Sequence, residues 1–232
     1  MKNIAFYSIP SFISKAFGNN IQLLPSVDEL FEIEMAYLEF NCLSKEQLLE
    51  RSAFIKSIRG SDPNGAVYWL ARMIEGGEDV KFIARRMLIL ASEDIGNANP
   101  TAMILANNTF QAVTTIGYPE ARIILSQCAI YLASSPKSNA SYKAIGKAQQ
   151  VVKQTGDLPV PIHLRNAPTK LMKELGYGKD YLYAHDYDQN FAFQDYLPDA
   201  LQGEVFYEPG NNQREQALRE YLKKLWGNRY HY

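Results

Sequence analysis

Apolar residues recur at helical spacing along most of the chain, and capping residues, prolines and glycines divide these runs. Ser44 with Gln47 forms a capping-box pattern, and Pro63, Pro100 and Pro119 stand where a first helical turn tolerates proline. Glycines mark the segment ends. These signals predict helices near residues 28–40, 44–59, 63–75, 78–95, 100–116, 119–134, 139–154, 168–175 and 213–226.

Two of the predicted helices are apolar on every side, in the segments Met87–Ala91 and Ile123–Leu132. A helix of this kind lies in the middle of a bundle or at an interface between subunits. The connectors between the predicted helices are short, which favours antiparallel helical hairpins.

The amino-acid composition changes between Gly156 and Gly210, where Pro, Gly, Tyr and Asp are frequent. One helix is predicted there, and residues 203–207 allow a short strand. A long irregular segment in a compact protein is usually functional or part of an interface. The predicted fold class is therefore all-α, a helical bundle of antiparallel hairpins with an irregular C-terminal arm.

The C-terminal helix has two different faces. Glu215 precedes Arg219, and Glu220 precedes Lys224, by four residues in the favourable order, which predicts a solvated face. The opposite stripe is formed by Leu218, Leu222 and Leu225, with Tyr221 and Trp226 beside it. We interpret this segment as a docking helix, and a basic DNA-binding helix is the alternative.

Composition narrows the classes of function. The 232 residues carry a formal net charge of -1, so no global basic field draws the chain to nucleic acid. Cys42 and Cys128 lie far apart in apolar surroundings typical of buried free thiols, which indicates a reducing compartment. No apolar run approaches the ~18–20 residues needed to span a bilayer. We expect a cytoplasmic protein without a membrane partner.

The sequence offers no recognisable catalytic constellation. Nucleotide hydrolysis needs a glycine-rich loop followed by Lys and then Ser or Thr, and the pairs Gly146-Lys147 and Gly178-Lys179 lack the hydroxyl residue. The three histidines share no short spacing with one another or with the cysteines, which argues against a metal site. We expect no catalytic residue, no cofactor, no metal and no ATP hydrolysis by this chain.

Glu93 and Asp94 follow an apolar run that superficially looks like the strand and acids of a magnesium site. The run lies in a helical pattern without a partner loop. We therefore interpret the two acids as a helix-end pair that binds neighbouring backbone or an arginine, Arg85 or Arg86.

The stretch from Pro161 to Lys179 interleaves cations with aromatic residues, and Tyr181, Tyr183 and Tyr187 follow it. Cations among aromatic rings can track a nucleic-acid backbone and stack on its bases. The interpretation that we favour is that the tyrosines pack on the bundle with their hydroxyls in water, while the lysines are solvated.

Five ordered blocks carry a family resemblance. They are FIKSIRGSDP with AVYWLARM (54–73), IARR with ASEDIGNANP (83–100), YLASSPKSN (131–139), HLRNAPTKLMKELGYG with YAHD (163–186), and YLP with FYEP (196–209). In this order and spacing they resemble the C-terminal half of the RarA/MgsA family, replication-associated recombination ATPases related to clamp loaders and to the Werner helicase-interacting protein. The resemblance covers residues 52–226, whereas residues 1–51 look unlike the family and form a separate, partly helical segment.

The resemblance implies a helical, clamp-loader-like collar domain (52–232) that tetramerises, without the AAA+ core that binds nucleotide. It implies links to stalled replication forks and, as partners, single-stranded-DNA-binding protein, a separate AAA+ ATPase chain and fork DNA. The candidate interface or DNA-contact residues within its blocks are Arg85, Arg86, Glu93, Asp94, Lys137, Asn139, His163, Arg165, Asn166 and Lys170.

Three hypotheses follow. The first is a non-catalytic oligomerisation and docking module, assembled as a homotetramer. The second is a stand-alone module that binds DNA or a replication protein through the basic and aromatic regions. The third is an enzyme in the arm around His163, Arg165 and His185, which we consider least supported, because no base is oriented on a nucleophile there.

Overall fold

Helices begin where the sequence supplies caps. The structure, a computed structural model, describes residues 45–232, and its first helix is α1, Lys45–Arg59. Helix α2, Pro63–Glu75, starts after Asp62, whose side chain accepts hydrogen bonds from two backbone N–H groups of the first turn. The other α-helices are α3 (Val80–Leu90), α4 (Thr101–Ile116), α5 (Ala121–Ser134), α6 (Ala140–Thr155), α7 (Lys170–Glu174) and α8 (Gln213–Trp226).

Helix α5 lies at the centre of the bundle and packs against α2, α3 and α4. Its Leu125, Cys128 and Leu132 are fully buried. Burying a Leu side chain contributes about 1.5–3 kcal/mol, so this helix is a main source of stability. Burial raises the pKa of the Cys128 thiol to about 11, and a hydrogen bond with Thr109 opposes that change. The predicted buried free thiol at Cys128 is confirmed.

The connection between α3 and α4 has a special geometry. After Leu90 the helix continues as a π-helical turn, Ala91–Ile95, followed by a 3₁₀ turn, Gly96–Ala98. Gly96 has a φ of 50°, and a Cβ atom on it would lie 3.1 Å from the Ser138 carbonyl oxygen. Glycine therefore allows the segment before α6 to approach the π-helical turn closely.

Residues 156–210 form an irregular arm, as predicted. The arm holds α7, which is shorter than the predicted helix near 168–175, and four 3₁₀ turns (Ile162–Leu164, Ala184–Asp186, Asp188–Asn190 and Asp199–Leu201). The strand allowed for residues 203–207 does not form, because no second strand lies in the described part of the chain to pair with it. Over residues 45–232 the structure is all-α, which confirms the predicted fold class.

Two predictions fall on residues outside the described range, the helix near 28–40 and the buried thiol of Cys42. The domain boundary between residues 51 and 52 stays a prediction, although Phe54–Tyr232 forms one compact unit. Over residues 45–232, no helix is both long and apolar enough to cross a bilayer.

Candidate functional site

The π-helical turn places two carboxylates beside the end of α1. Arg59 donates from Nε to Asp94 Oδ1 at 2.7 Å, and its Nη2 lies 3.5 Å from Glu93 Oε1. The hydrogen bond to Asp94 raises the pKa of the Arg59 guanidinium, while burial opposes the change. The helix-end pair is thus bound by an arginine, but by Arg59 rather than by Arg85 or Arg86.

Lys137 caps the C-terminal end of α5. Its Nζ lies 2.6–3.0 Å from four oxygens, the carbonyls of Leu132, Ala133 and Ser135 and the Ser61 hydroxyl. Burial lowers the pKa of the Lys137 ammonium, and the charge of Asp94 opposes this change. An ammonium has three N–H donors, so the protein itself occupies the hydrogen-bonding capacity of Lys137.

A second set of hydrogen bonds joins the start of α4 to the end of α5. Asn99 donates from Nδ2 to the Tyr131 hydroxyl at 3.0 Å and to Ser135 Oγ at 3.1 Å. The Ser138 N–H donates to the Asp94 carbonyl at 2.8 Å. We call the set Arg59, Glu93, Asp94, Lys137 and Ser138 the polar junction, because it fixes the chain entering α6 against the bundle.

A buried carboxylate, which the sequence interpretation missed, lies next to this junction. Glu215 is 0% exposed, accepts from Asn212 Nδ2 at 2.5 Å and from the Tyr207 hydroxyl at 3.3 Å. Its own backbone N–H donates to Asn212 Oδ1 at 3.0 Å, which completes a capping arrangement at the start of α8. The prediction that Glu215 lies on a solvated face is wrong. The spacing of Asn212 and Glu215 was the signal that identifies the cap.

Backbone packing explains why this carboxylate is enclosed. A Cβ atom on Gly210 would lie 2.6 Å from Glu215 Oε2, so only glycine leaves room for the carboxylate there. Burial is the main reason that the pKa of the Tyr207 hydroxyl is raised, and a hydrogen bond with Asn97 opposes it. Arg219 donates to the Pro209 carbonyl and therefore also holds the loop that precedes α8.

A cavity of about 540 Å³ lies between the start of α6, residues 205–211 and α8, and Lys137, Asn139 and Arg219 are among its lining residues. Lys147 at its edge pairs with Glu204 at 2.6 Å and donates to the Val205 carbonyl at 2.5 Å. Most cations of the cavity are thus engaged within the chain. The cavity lies where the arm meets the bundle. The contacts of Lys147 and Arg219 with residues 204–209 hold the arm in place there.

Four predicted contact residues lie in the first part of the arm. The Nε2 atom of His163 lies 2.7 Å from the Asp195 carbonyl, and Arg165 donates to the Val160 carbonyl at 2.7 Å and stacks on Tyr177. Asn166 is exposed, and so is Lys170, whose Nζ lies 3.9 Å from Glu174 Oε1. His163 and Arg165 therefore shape the arm, while Asn166 and Lys170 face solvent.

The tyrosines of the arm are more exposed than we expected. Tyr181, Tyr183 and Tyr187 are 44–54% exposed, so their rings are not packed fully against the bundle. The structure instead packs the aromatic residues of the following segment around Trp226, with ring centroids 5.0–6.2 Å away for Phe191, Phe193 and Tyr196. Phe193 (59%) and Tyr196 (43%) stay as exposed as those tyrosines, so the ring contacts with Trp226 position this segment without burying it.

The predicted site residues do not converge on one place. Glu93, Asp94, Lys137 and Asn139 meet around the polar junction and the cavity. Arg85 stacks on Phe82, and Arg86 is half-buried on the same helix. The remaining four residues lie in the arm. Within residues 45–232 no group of three or more His, Cys, Asp or Glu side chains is arranged to hold a metal ion.

Comparison with known proteins gives consistent matches. Residues 60–226 match the family described as "MgsA AAA+ ATPase C terminal". The chain is 49% identical to "Replication-associated recombination protein A" of Coxiella burnetii, over 75% of this chain and 40% of that protein. It is 45% identical to the protein of the same name in Escherichia coli K12 (75% and 39%) and to "ATPase WRNIP1" of Dictyostelium discoideum (72% and 20%). The chain spans about two fifths of the length of the bacterial relatives.

Proposed function

This chain belongs to the MgsA AAA+ ATPase C-terminal family, and from that membership we propose that it is a non-catalytic oligomerisation and docking module. The matched region is the helical C-terminal region of an ATPase family and not its catalytic module. In this proposal copies of the chain assemble into a homotetramer in the cytoplasm, and the assembly acts in replication and recombination at stalled forks.

The observation that carries the proposal is the apolar surface of the bundle. Ile123 on α5 and Ile145 on α6 are 57–59% exposed, and Ile130 and Val152 are also exposed on these helices. Apolar residues scattered singly are normal on a monomer, but large apolar patches mark protein interfaces. The exposed apolar residues of these two helices support association with further copies of the chain.

Docking would couple this assembly to the activities that the chain itself lacks. We propose that hydrolysis of ATP belongs to the AAA+ core of a family member and that a separate AAA+ ATPase chain is a partner. The names of the bacterial relatives support a role in replication-associated recombination. Single-stranded-DNA-binding protein and fork DNA are further proposed partners.

Self-association is tested by co-expressing two copies that carry different affinity tags. If the chain assembles, capture through one tag brings down the other copy in near-equal amount after extensive washing. A copy of the same chain with Leu125→Asp, which disrupts the core, serves as the control for capture of misfolded protein. Absence of the second tag in the wild-type capture would contradict the proposal.

A second candidate function rests on the exposure of the arm tyrosines. Exposed aromatic rings beside solvated lysines are the pattern that binds single strands by stacking and charge. Tyr181 and Tyr183 are exposed, and the Lys170 side chain is 92% exposed. The test is fluorescence anisotropy with labelled single-stranded DNA at rising salt, where salt-sensitive binding that Tyr183→Ala weakens would favour it. Binding without salt dependence, or unchanged in the variant, would exclude this surface.

A further inference from the structure

Helix α6 has an apolar stripe that nothing in its own bundle covers. No residue of this 16-residue helix is buried. Tyr142, Ile145 and Val152 recur at spacings of three and seven residues, so they lie on one face with Gln149 between them. Each of the three apolar side chains is 57–59% exposed. A helix of the core would bury such a stripe, so α6 offers it to a partner.

The opposite face of α6 is held by the arm, which fixes the direction of the stripe. Lys147, half a turn away from the stripe, pairs with Glu204, donates to the Val205 carbonyl and lies 5.9 Å from the centre of the Phe206 ring. The start of α6 packs against the Gly96–Ala98 turn. Because these contacts use the far face, the stripe points away from the arm segment that holds the helix.

An apolar groove of about 410 Å³ lies between α2 and α5. Leu70 forms its floor, Val67, Ile74 and Ile123 line its walls, and Ile123 is 59% exposed. At a rise of about 1.5 Å per residue, the α2 wall from Val67 to Glu75 is about 12 Å long and the stripe from Tyr142 to Val152 about 15 Å. The groove wall is therefore slightly shorter than the stripe, and the groove can take up most of the length over which the three anchors are spaced.

The charges at the end of the groove complement those of α6. Glu75 lines the groove, and Tyr118 at the same end donates a hydrogen bond to the Glu78 carbonyl at 3.2 Å. Burial and then the charges of Asp79, Glu78 and Glu75 raise the pKa of Tyr118, so three carboxylates act on this end. Helix α6 carries three lysines and no acidic residue, and Lys153 flanks its stripe. The lining itself carries one acid, Glu75, and one base, Arg122, so the negative charge lies at the Tyr118 end of the groove.

We propose that the stripe of α6 docks into the α2–α5 groove of a second copy of this chain, an inference that rests on the proposed self-association. Tyr142, Ile145 and Val152 fill the groove, and Lys153 faces its acidic end. The two surfaces differ, so each copy gives a helix to one neighbour and receives a helix from another. Contacts of this head-to-tail kind generate a closed ring when the rotation between copies closes, which is compatible with four subunits.

Three isoleucines are exposed to nearly the same extent, so substituting each in the full chain gives a matched set of variants. Ile145 lies in the stripe, Ile123 in the groove and Ile104 on α4 outside both. An aspartate in either docking surface leaves a charge in a desolvated contact, so Ile145→Asp and Ile123→Asp should each weaken association by at least about a hundredfold. Ile104→Asp should leave association unchanged. Circular dichroism confirms that each variant is folded, because all three positions are exposed.

Mixing the Ile145→Asp and Ile123→Asp variants distinguishes a contact between stripe and groove from other arrangements of the copies. The Ile145→Asp variant keeps an intact groove, and the Ile123→Asp variant keeps an intact α6 stripe. In an equimolar mixture the stripe of the second variant can still dock into the groove of the first, which gives one functional contact per pair. Sedimentation velocity should find each variant alone near the chain mass of 26.3 kDa and the mixture near twice that mass.

Three outcomes would overturn the inference. A wild-type monomer would end both the proposed self-association and this contact. A wild-type oligomer that Ile145→Asp or Ile123→Asp leaves intact would end this contact and keep self-association. Two monomeric variants whose mixture stays monomeric would show that the stripe and the groove do not bind each other.

Discussion

Helices α5 and α6 are both rich in apolar residues, yet the structure uses them in opposite ways. Six residues of α5 are buried, among them Leu125 and Leu132, whereas α6 buries none. Helix α5 is surrounded by three helices, while α6 is held along one face by the arm. An apolar helix is therefore core only where other elements surround it, and where they do not, its apolar face stays open to a partner.

The largest loss of stability is expected for a substitution in α5, and the corresponding substitution in α6 should have almost no effect. Leu125→Ala leaves a cavity in the centre of the bundle and should lower the free energy of unfolding by about 3 kcal/mol. Ile145→Ala removes an exposed side chain and should change the stability of the dissociated monomer by less than about 0.5 kcal/mol. Urea titrations at high dilution measure both, and equal losses would break the comparison.

The second-largest effect is expected for α8, where a buried carboxylate can be compared with an exposed one. Glu215→Ala leaves the Asn212 amide and the Tyr207 hydroxyl without their acceptor and should cost about 2 kcal/mol. Glu220→Ala, one turn further on and exposed, is the matched control and should cost less than about 0.5 kcal/mol. Chemical denaturation of the two variants tests this, and a Glu215 variant as stable as its control would contradict the buried cap.

The lysines at the start of α6 allow a similar test with a smaller effect. Lys137→Met removes the donor to the last carbonyls of α5 and should cost about 1 to 1.5 kcal/mol. Lys143→Met, on the exposed face, should be within about 0.5 kcal/mol of the wild type. Thermal unfolding followed by circular dichroism compares them. If both variants lost the same stability, Lys137 would have no special capping role.

The smallest effect is expected for the ion pairs of the π-helical turn. Arg59 is half-exposed, so Arg59→Ala should lower stability by about 0.5 kcal/mol through the contacts to Asp94 and Glu93. The difference from the wild type should shrink further in high salt, because exposed charges are screened. Urea titrations at low and high salt measure it, and a loss of several kcal/mol that is independent of salt would contradict a surface pair.

The helices of the bundle were largely predictable because their signals are local. Asp62 and Asp79 cap α2 and α3, and glycines end α4 and α6 close to the predicted positions. The predicted helix near 78–95 ends in a π-helical turn instead of regular helix. This turn is in contact with Ser138, whose N–H donates to the Asp94 carbonyl, and local helical signals do not report a contact between segments so far apart in the sequence.

The candidate site was less predictable because it depends on contacts between distant segments. Arg59 reaches Asp94 across 35 residues, and no local pattern distinguishes it from Arg85 or Arg86 as the partner. The favourable spacing of Glu215 and Arg219 indicated a surface pair, while Gly210 and Asn212 enclose the carboxylate in a loop. The exposure of Tyr181 and Tyr183 also depends on how the irregular arm folds, which helical periodicity does not describe.

Light scattering behind a sizing column tests self-assembly without reference to shape, because it measures the mass of the wild-type chain in solution. A homotetramer has four times the chain mass of 26.3 kDa, which is about 105 kDa, and should dissociate only on strong dilution. A species of 26.3 kDa that persists over about a hundredfold range of loading concentration would contradict self-assembly.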